Sequence, residues 1–583
     1  MTEQRNLILA IVLSVGIILA FQYFYGGPAV REAQQGDAPQ TTAQETVTPQ
    51  PGARSGGAVP GQVPGQVPGV STAAALPADR KQVLASVPRI PIDNGRVHGS
   101  LSTVGSRIDD VTLADYHASV DRQSPEIVLL SPPGAPAPYF AELGWVAGQE
   151  GTAVPGAETQ WQADGEALKP DSPVTLSWDN GAGLRFAKQF SIDENYMFTV
   201  SRSVTNESGE PVTLYPYGLV SRWGTPETLG YYILHEGPIG VLGGSLKEPD
   251  YDDLQEERLV EFQSTGGWLG FTDKYWLTSL VPAQERPIKA SFRHTMGPGG
   301  EHRYQSDFLG EAMTVAPGQT VEITDRLFAG AKEVDKLDAY EERYGVPLFD
   351  RAVDFGWFYF LTKPIFHVLD FFYKLVGNYG VAILLLTLVV KILFFPLANK
   401  SYRAMSQMKK LQPEMMKLRE RHGDDRAKMN QELMELYRRE KVNPMSGCLP
   451  ILVQIPVFFA LYKVLFVNIE MRHAPFFGWI NDLSAPDPTT IFNLFGLLPF
   501  EVPAMLMIGV WPLLMGFTMW LQQRLNPKPA DPTQAKVMNF LPVMFTFLFA
   551  TFPAGLVVYW TWNNTLSILQ QWVIMRRMGV KAG

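Results

Sequence analysis

Apolar residues fill whole stretches near the two ends of the chain and alternate with polar ones through its middle. Residues 7–25, LILAIVLSVGIILAFQYFY, form an apolar run long enough to cross a bilayer, with Arg5 before it and the aromatic belt of Phe21, Tyr23, Phe24 and Tyr25 at its end. A cleaved signal peptide is the alternative. The length of the run and the lack of a small-x-small cleavage site argue for a retained anchor. In PGARSGGAVPGQVPGQVPGV, residues 51–70, Pro and Gly recur without an apolar face to bury, the signature of a disordered tether. From about residue 80 the texture changes to short alternating runs, such as PVTLSW, LRFAKQFSI and NYMFTVSRSVTN, separated by turn residues such as DNGAG. Many strands with few helical patterns predict a large β-sandwich.

Residues 354–376 are rich in aromatics but carry Asp354, Lys363, Asp370, Lys374 and a central Pro364. That pattern predicts a helix lying in the membrane interface. Beyond Gly380 come five apolar segments, about 379–397, 448–467, 503–522, 537–552 and 554–574. With the first run they predict six transmembrane helices. Between the first two of the five, Met408, Leu411, Met415 and Leu418 step by three and four, as do Met429, Leu433 and Leu436. HGDD at 422–425 supplies a stop and a cap, so the segment predicts an antiparallel helical hairpin, with Pro413 as a kink or helix start.

Charge divides the chain along the same lines. Residues 1–80 carry a net −1, 81–350 a net −18 and 351–583 a net +10, giving the chain's −9. The loop 398–446 holds twelve Lys and Arg against seven acids, whereas 468–502 holds Arg472 against four. The positive-inside rule then places the hairpin and both termini in the cytoplasm and the acidic β module outside. The single cysteine, Cys448, excludes an internal disulfide. Neither HExxH, nor GxxxxGK[ST], nor GxSxG occurs, so the sequence offers no metal site, no cofactor loop and no hydrolase elbow.

One charge stands out, Lys391 within LLLTLVVKILFFPL. With a span ending near Leu397 it lies ~9 Å from the cytoplasmic end, within reach of a snorkelling side chain. Its company suggests more. Thr387 precedes it on the same helical face, Gln454 sits deep in the next span, and the last span carries Trp560, Asn563, Ser567 and Gln570 in a stripe, with Tyr559, Asn564 and Gln571 beside it. Polar groups in hydrocarbon are costly unless they meet each other or water, so the economical arrangement is one hydrated groove with Lys391 as its charge. Ordinary interhelical hydrogen bonding is the plainer alternative for Gln454 and the asparagines. Residues 537–552 give only ~24 Å of helix against ~30 Å of hydrocarbon, which predicts local thinning of the bilayer. A secondary transporter or channel would also place a charge in a polar cavity, but no internal repeat occurs in 379–574.

The stretches GNYGVAILLLTLVVKILFFPLANKSYRAMSQMKKLQPEMMKLRERHGDD, KVNPMSGCLPILVQIPVFFALYKVL and FPAGLVVYWTWNNTLSILQQ resemble the core of the YidC family of membrane protein insertases, and GGWLGFTDKYWLTSLVP, 266–282, resembles that family's periplasmic domain more loosely. The resemblance implies a non-enzymatic insertase and chaperone of the bacterial inner membrane. It implies an N-terminal anchor over 1–26, a linker over 27–79, a periplasmic supersandwich-like β domain over 80–345, an interfacial helix over 350–378 and a five-helix core over 379–578 containing a cytoplasmic hairpin over 399–442. The implied partners are nascent membrane proteins, the Sec translocon, and a ribosome or signal-recognition receptor at the hairpin. The family's groove charge is commonly an arginine, and Lys391 holds that place. The groove or substrate-contact positions it implies include Thr387, Gln454 and Trp560. A lysine keeps the charge without the planar bidentate fork.

Overall fold

The computed structural model describes residues 79–228, 234–422, 425–440, 442, 449–495, 498, 502–503, 507–526 and 532–579. The predicted anchor over 7–25 and the tether over 51–70 lie outside them. Period-two alternation builds two antiparallel sheets, one of ten strands and one of nine. In Leu184–Ile192 the residues Leu184, Phe186, Lys188, Phe190 and Ile192 are all buried while those between them are not. The DNGAG turn folds this strand back on Val174–Asp179, with Gly181 and Gly183 supplying the positive φ.

Strand Val212–Trp223 is central to the larger sheet, paired with Tyr139–Ala147 and His302–Gly310. Thr320–Ala331 holds that place in the smaller one, between Met197–Asn206 and Trp276–Val281. Trp145, Trp268, Phe186, Phe190 and Phe198 fill the space between the sheets, each burial worth roughly 1.5–3 kcal/mol. An ion pair is buried there too. Arg202 pairs with Asp325, and its guanidinium donates to the carbonyls of Gly144 (2.5 Å) and Tyr217 (2.6 Å) in the opposite sheet.

Three short helices accompany the sheets, α1 (Arg80–Ala85), α2 (Tyr251–Glu257) and α3 (Val334–Tyr344). Then come α4 (Tyr359–Val376), α5 (Tyr379–Leu393), α6 (Phe395–His422), α7 (Arg426–Arg439), α8 (Leu449–Val467), α9 (Val510–Leu525), α10 (Pro532–Phe549) and α11 (Ala554–Arg577). On α4, Phe360, Phe371 and Leu375 are exposed, while Lys363 turns inward to Asp338 (2.9 Å) and Asp350 (2.8 Å). Gly377 closes α4 with φ +69°, and the Asn378 side chain caps α5 by accepting from the Val381 N–H.

Three boundaries differ from the sequence expectation. The second apolar segment does not run straight to Leu397. Helix α5 ends at Leu393, and α6 leaves it at 69°. Pro396 has no N–H for the carbonyl four residues back and its ring would collide with that carbonyl, so the helix breaks there. Helix α6 then runs through Pro413, which neither starts it nor breaks it. In the fourth segment helix α9 begins at Val510, behind Gly509. Among the described residues no single helix is long and apolar enough to cross a membrane by itself; the bent pair α5 and α6 together meets that test.

The β domain is joined to the helices by more than the chain. Asp354 pairs with Lys463 of α8 (2.7 Å) and accepts the backbone N–H groups of His235 (3.1 Å) and Gly356 (3.0 Å). Arg472, after α8, donates to the His117 carbonyl (2.6 Å) and lies over the rings of Tyr275 and Trp276. Lys274 lies 4.0 Å from the Phe466 ring centroid. Burial lowers the Lys274 ammonium to about 8 against the opposing pull of Glu236 and Asp482. The turn of the GFTDKYWL stretch is therefore where the sheets rest on the helical region.

Candidate functional site

Lys391 lies in the last turn of α5, half-buried, and its Nζ donates to Ser567 Oγ on α11 (2.7 Å). Ser567 in turn donates to the Asn563 carbonyl (2.8 Å). Two helices, α5 and α11, thus meet at one serine. Asn563 is 7% exposed, yet its Oδ1 has no partner among the described residues. Gln570 Nε2 and Gln571 Oε1, further along α11, are likewise buried without one. A buried polar atom left unpaired costs ~1–3 kcal/mol, and of these three Asn563 Oδ1 belongs to the residue that Ser567 bonds.

The other predicted residues divide among several partners. Thr387 is 1% exposed and donates to the Ile383 carbonyl of its own helix (2.6 Å). Gln454 is half-buried on α8, and Tyr559 on α11 is 1% exposed. Asn564 faces away, its Nδ2 donating to Thr518 Oγ1 of α9 (3.3 Å), and Gln571 Nε2 reaches Asn526 Oδ1 (3.0 Å). The Trp560 ring packs on Phe458 (centroids 4.3 Å apart) and Phe549 (4.9 Å), in an aromatic cluster rather than among the polar groups. The α11 stripe therefore splits. Asn563 and Ser567 belong with Lys391, while Asn564 and Gln571 bind α9.

Sequence reasoning missed Tyr402 and the buried serines Ser401 and Ser406. They follow the bend at Phe394, which turns α6 away from the line of α5. The one signal was Pro396. At the opposite end of α5, Tyr379 donates to Glu470 (2.9 Å). Burial raises this carboxyl to about 7 despite that hydrogen bond, with Asp370, Asp335 and Glu333 adding to the shift.

Two family models together match most of the chain, one for a YidC periplasmic domain over residues 89–368 and one for a 60Kd inner membrane protein over 371–581. The membrane protein insertase YidC of Methylorubrum extorquens is 52% identical over 99% of this chain and 96% of its own length. Those of Methylobacterium nodulans, at 53% over 99% and 96%, and Rhizobium meliloti, at 51% over 100% and 97%, are similar to the same degree. A crystal structure of an active YidC insertase with its first transmembrane domain resolved aligns with 84% of this chain and 95% of its own at 18% identity and a TM-score of 0.35.

Proposed function

Because the chain belongs to the YidC family of membrane protein insertases, we propose that it passes transmembrane segments of nascent proteins from the cytoplasmic side into the lipid bilayer, alone or beside the Sec translocon. The observation that carries this reading is the polar cluster of Lys391, Ser567 and Asn563, with an unpaired acceptor buried in the middle of an otherwise apolar bundle. A substrate's short, acidic outer tail enters from the cytoplasm, meets the Lys391 ammonium and takes up hydrogen bonds from Asn563 and Gln454, while Thr387 stays bonded to its own helix. Its apolar helix meanwhile moves into lipid along α8 and α10. Transfer of that helix supplies the driving force, at ~0.8 kcal/mol per buried methylene, so the groove has only to lower the barrier for the tail.

Six spans, with both termini in the cytoplasm and residues 27–350 in the periplasm, accompany this reading. The pairing of short apolar helices supports it. Helices α9 and α10 have 16 and 18 residues, or ~24 and ~27 Å, less than the ~30 Å of hydrocarbon. Helix α10 returns directly into α11, and this short hairpin thins the bilayer beside the groove. The hairpin of α6 and α7, closed where Tyr437 meets Met415 (3.7 Å) and Arg439 meets Glu414 (3.1 Å), is the surface offered to a ribosome or a signal-recognition receptor. The test is insertion of a single-span substrate into liposomes containing only this protein, without ATP. Insertion well above empty liposomes is expected, and none above them rejects autonomous insertion.

A further inference from the structure

The chain between α8 and α9 closes on itself before α9 begins. Asp487, 2% exposed, accepts from the Trp479 indole (3.1 Å), from the N–H (3.0 Å) and hydroxyl (2.7 Å) of Thr489, and from the Trp511 N–H in the first turn of α9 (2.9 Å). Thr489 Oγ1 accepts the Val510 N–H (3.1 Å), and the Ile491 N–H donates to the Ile508 carbonyl (3.3 Å). A carboxylate at the positive end of a helix, with two further bonds, thus pins both ends of one loop to the start of α9. Beyond this neck the turn Ile491–Asn493 leads into Leu494 and Phe495 at φ +51° and +59°, left-handed backbone that residues with a Cβ seldom adopt. The Leu494 N–H holds the Ile491 carbonyl (3.2 Å) and the Phe495 N–H the Thr490 carbonyl (2.8 Å).

Three features of this loop point to one neighbour. Its side chains Phe492, Leu494, Phe495 and Leu498 are 40–53% exposed, and no residue from Pro488 to Phe500 is charged. Its backbone donors at Ile491, Phe492, Leu494, Phe495 and Leu498 are all bonded within the chain, that of Phe492 to Thr490 Oγ1 (3.3 Å) and that of Leu498 to the Asn493 carbonyl (3.0 Å), so none of them needs water. Finally, the 16 residues of α9 span ~24 Å against ~30 Å of hydrocarbon. Arg524, exposed in the last turn, marks the cytoplasmic headgroup level, so the missing length falls at the outer end, where the loop is attached.

We propose that this loop is a lipid wedge, with Phe492, Leu494, Phe495 and Leu498 sunk into the acyl region of the outer leaflet, where they complete the span that α9 leaves short. The wedge rests on the reading of α9 as a membrane span and adds how its outer end meets lipid. A bound protein would also cover an apolar tip, but it would leave the first turn of α9 below the headgroups without an apolar continuation. The wedge stands beside the short hairpin of α10 and α11, since the carbonyls of Leu483 and Ala485, just before Asp487, accept the N–H groups of Gly555 (2.9 Å) and Ala554 (2.7 Å) at its turn. Side chains inserted there displace lipid from the outer leaflet at the place where the hairpin is too short to span it.

The experiment uses the full chain with Cys448→Ser, in liposomes at a high ratio of lipid to protein. Phe492→Cys and Phe495→Cys, one at a time, carry a nitroxide whose relaxation by oxygen, which partitions into lipid, is compared with its relaxation by a water-soluble nickel chelate. Phe517→Cys, exposed on α9, is the lipid control and Met296→Cys, exposed on the β domain, the water control. Oxygen is expected to exceed the chelate about threefold at both loop positions, as at Phe517, and to fall below it at Met296, because a polar chelate is excluded from hydrocarbon. A chelate preference at both loop positions overturns the wedge, and leaves the span standing if Phe517 keeps its oxygen preference. Low access to both reagents means that a protein covers the tip, which also overturns it. A second variant separates lipid insertion from folding. Leu494→Asn with Phe495→Asn tolerates the left-handed backbone, so the detergent-solubilised thermal midpoint should hold while a nitroxide at position 492 moves to chelate preference. An unchanged oxygen preference there overturns the wedge. Insertion of a single-span substrate by the same liposomes judges the function separately: insertion with loop labels in water rejects only the wedge, and no insertion with loop labels in lipid rejects only autonomous insertion.

Discussion

Replacing Lys391 with Leu separates the charge at the centre of the proposed groove from its role in packing. Ser567 retains its bond to the Asn563 carbonyl when Lys391 is gone, so no new buried hydroxyl is stranded and the fold loses ~1 kcal/mol or less. The effect on a negatively charged tail is larger. A carboxylate ~4 Å from the ammonium gains about 1 kcal/mol in a fully aqueous groove and about 4 kcal/mol at an effective dielectric of 20. Insertion of an acidic-tailed, single-span substrate is therefore expected to fall ~5-fold to ~1000-fold with Lys391→Leu and further with Lys391→Glu, while Lys391→Arg keeps most of it. The assay is insertion in cells depleted of the native protein, with protein levels matched, using paired substrates whose outer tails do or do not carry carboxylates. Only the charged tail should respond. If Leu serves as well as Lys for both substrates, or depresses both equally, Lys391 is a snorkelling residue and the electrostatic mechanism is wrong.

The junction beneath the β domain should respond to pH through Glu470. A carboxyl whose folded value is raised from 4.5 to about 7 favours its protonated form in the folded protein, so stability falls as pH rises between those values and levels off above them. Thermal midpoints at pH 5 and pH 8 should differ more in the native chain than in Glu470→Gln; equal differences would refute the assignment. Gly516→Ala would set a Cβ 2.0 Å from Thr546 Oγ1, pushing α9 from α10 at ~1–3 kcal/mol, and Thr546→Ala in the same chain should restore most of the detergent-solubilised midpoint. Asp325→Ala leaves the fully buried Arg202 uncompensated and should cost ~3–5 kcal/mol, read as hydrogen exchange across Met197–Asn206 and Thr320–Ala331, whereas Arg202→Met with Asp325→Leu should cost far less.

Local order was legible in the sequence because local order is what sequence periodicity encodes. The alternation of LRFAKQFSI reappears residue for residue as buried and unburied positions, the DNGAG turn falls where its glycines permit positive φ, and the Asp425 side chain caps α7 by accepting from the Lys428 N–H. Helices α8 and α11 begin within a residue of the apolar segments that predict them. Lys391, Asn563 and Ser567 were legible as a group because uncompensated polarity in an apolar segment signals a partner elsewhere.

The identity of that partner was not legible. Ser567 is 176 positions from Lys391, and the chain leaves α5 at a 69° bend whose direction no local pattern contains. The same holds for Arg202 and Asp325, 123 positions apart on strands that each read as ordinary alternation, and for Arg472, whose contact with His117 spans 355. Period and composition determine which face of an element is buried, because that depends on neighbours three or four positions away. Which buried polar group meets which depends on how whole elements are placed in space, and that is decided by the cost of leaving any of them without a partner.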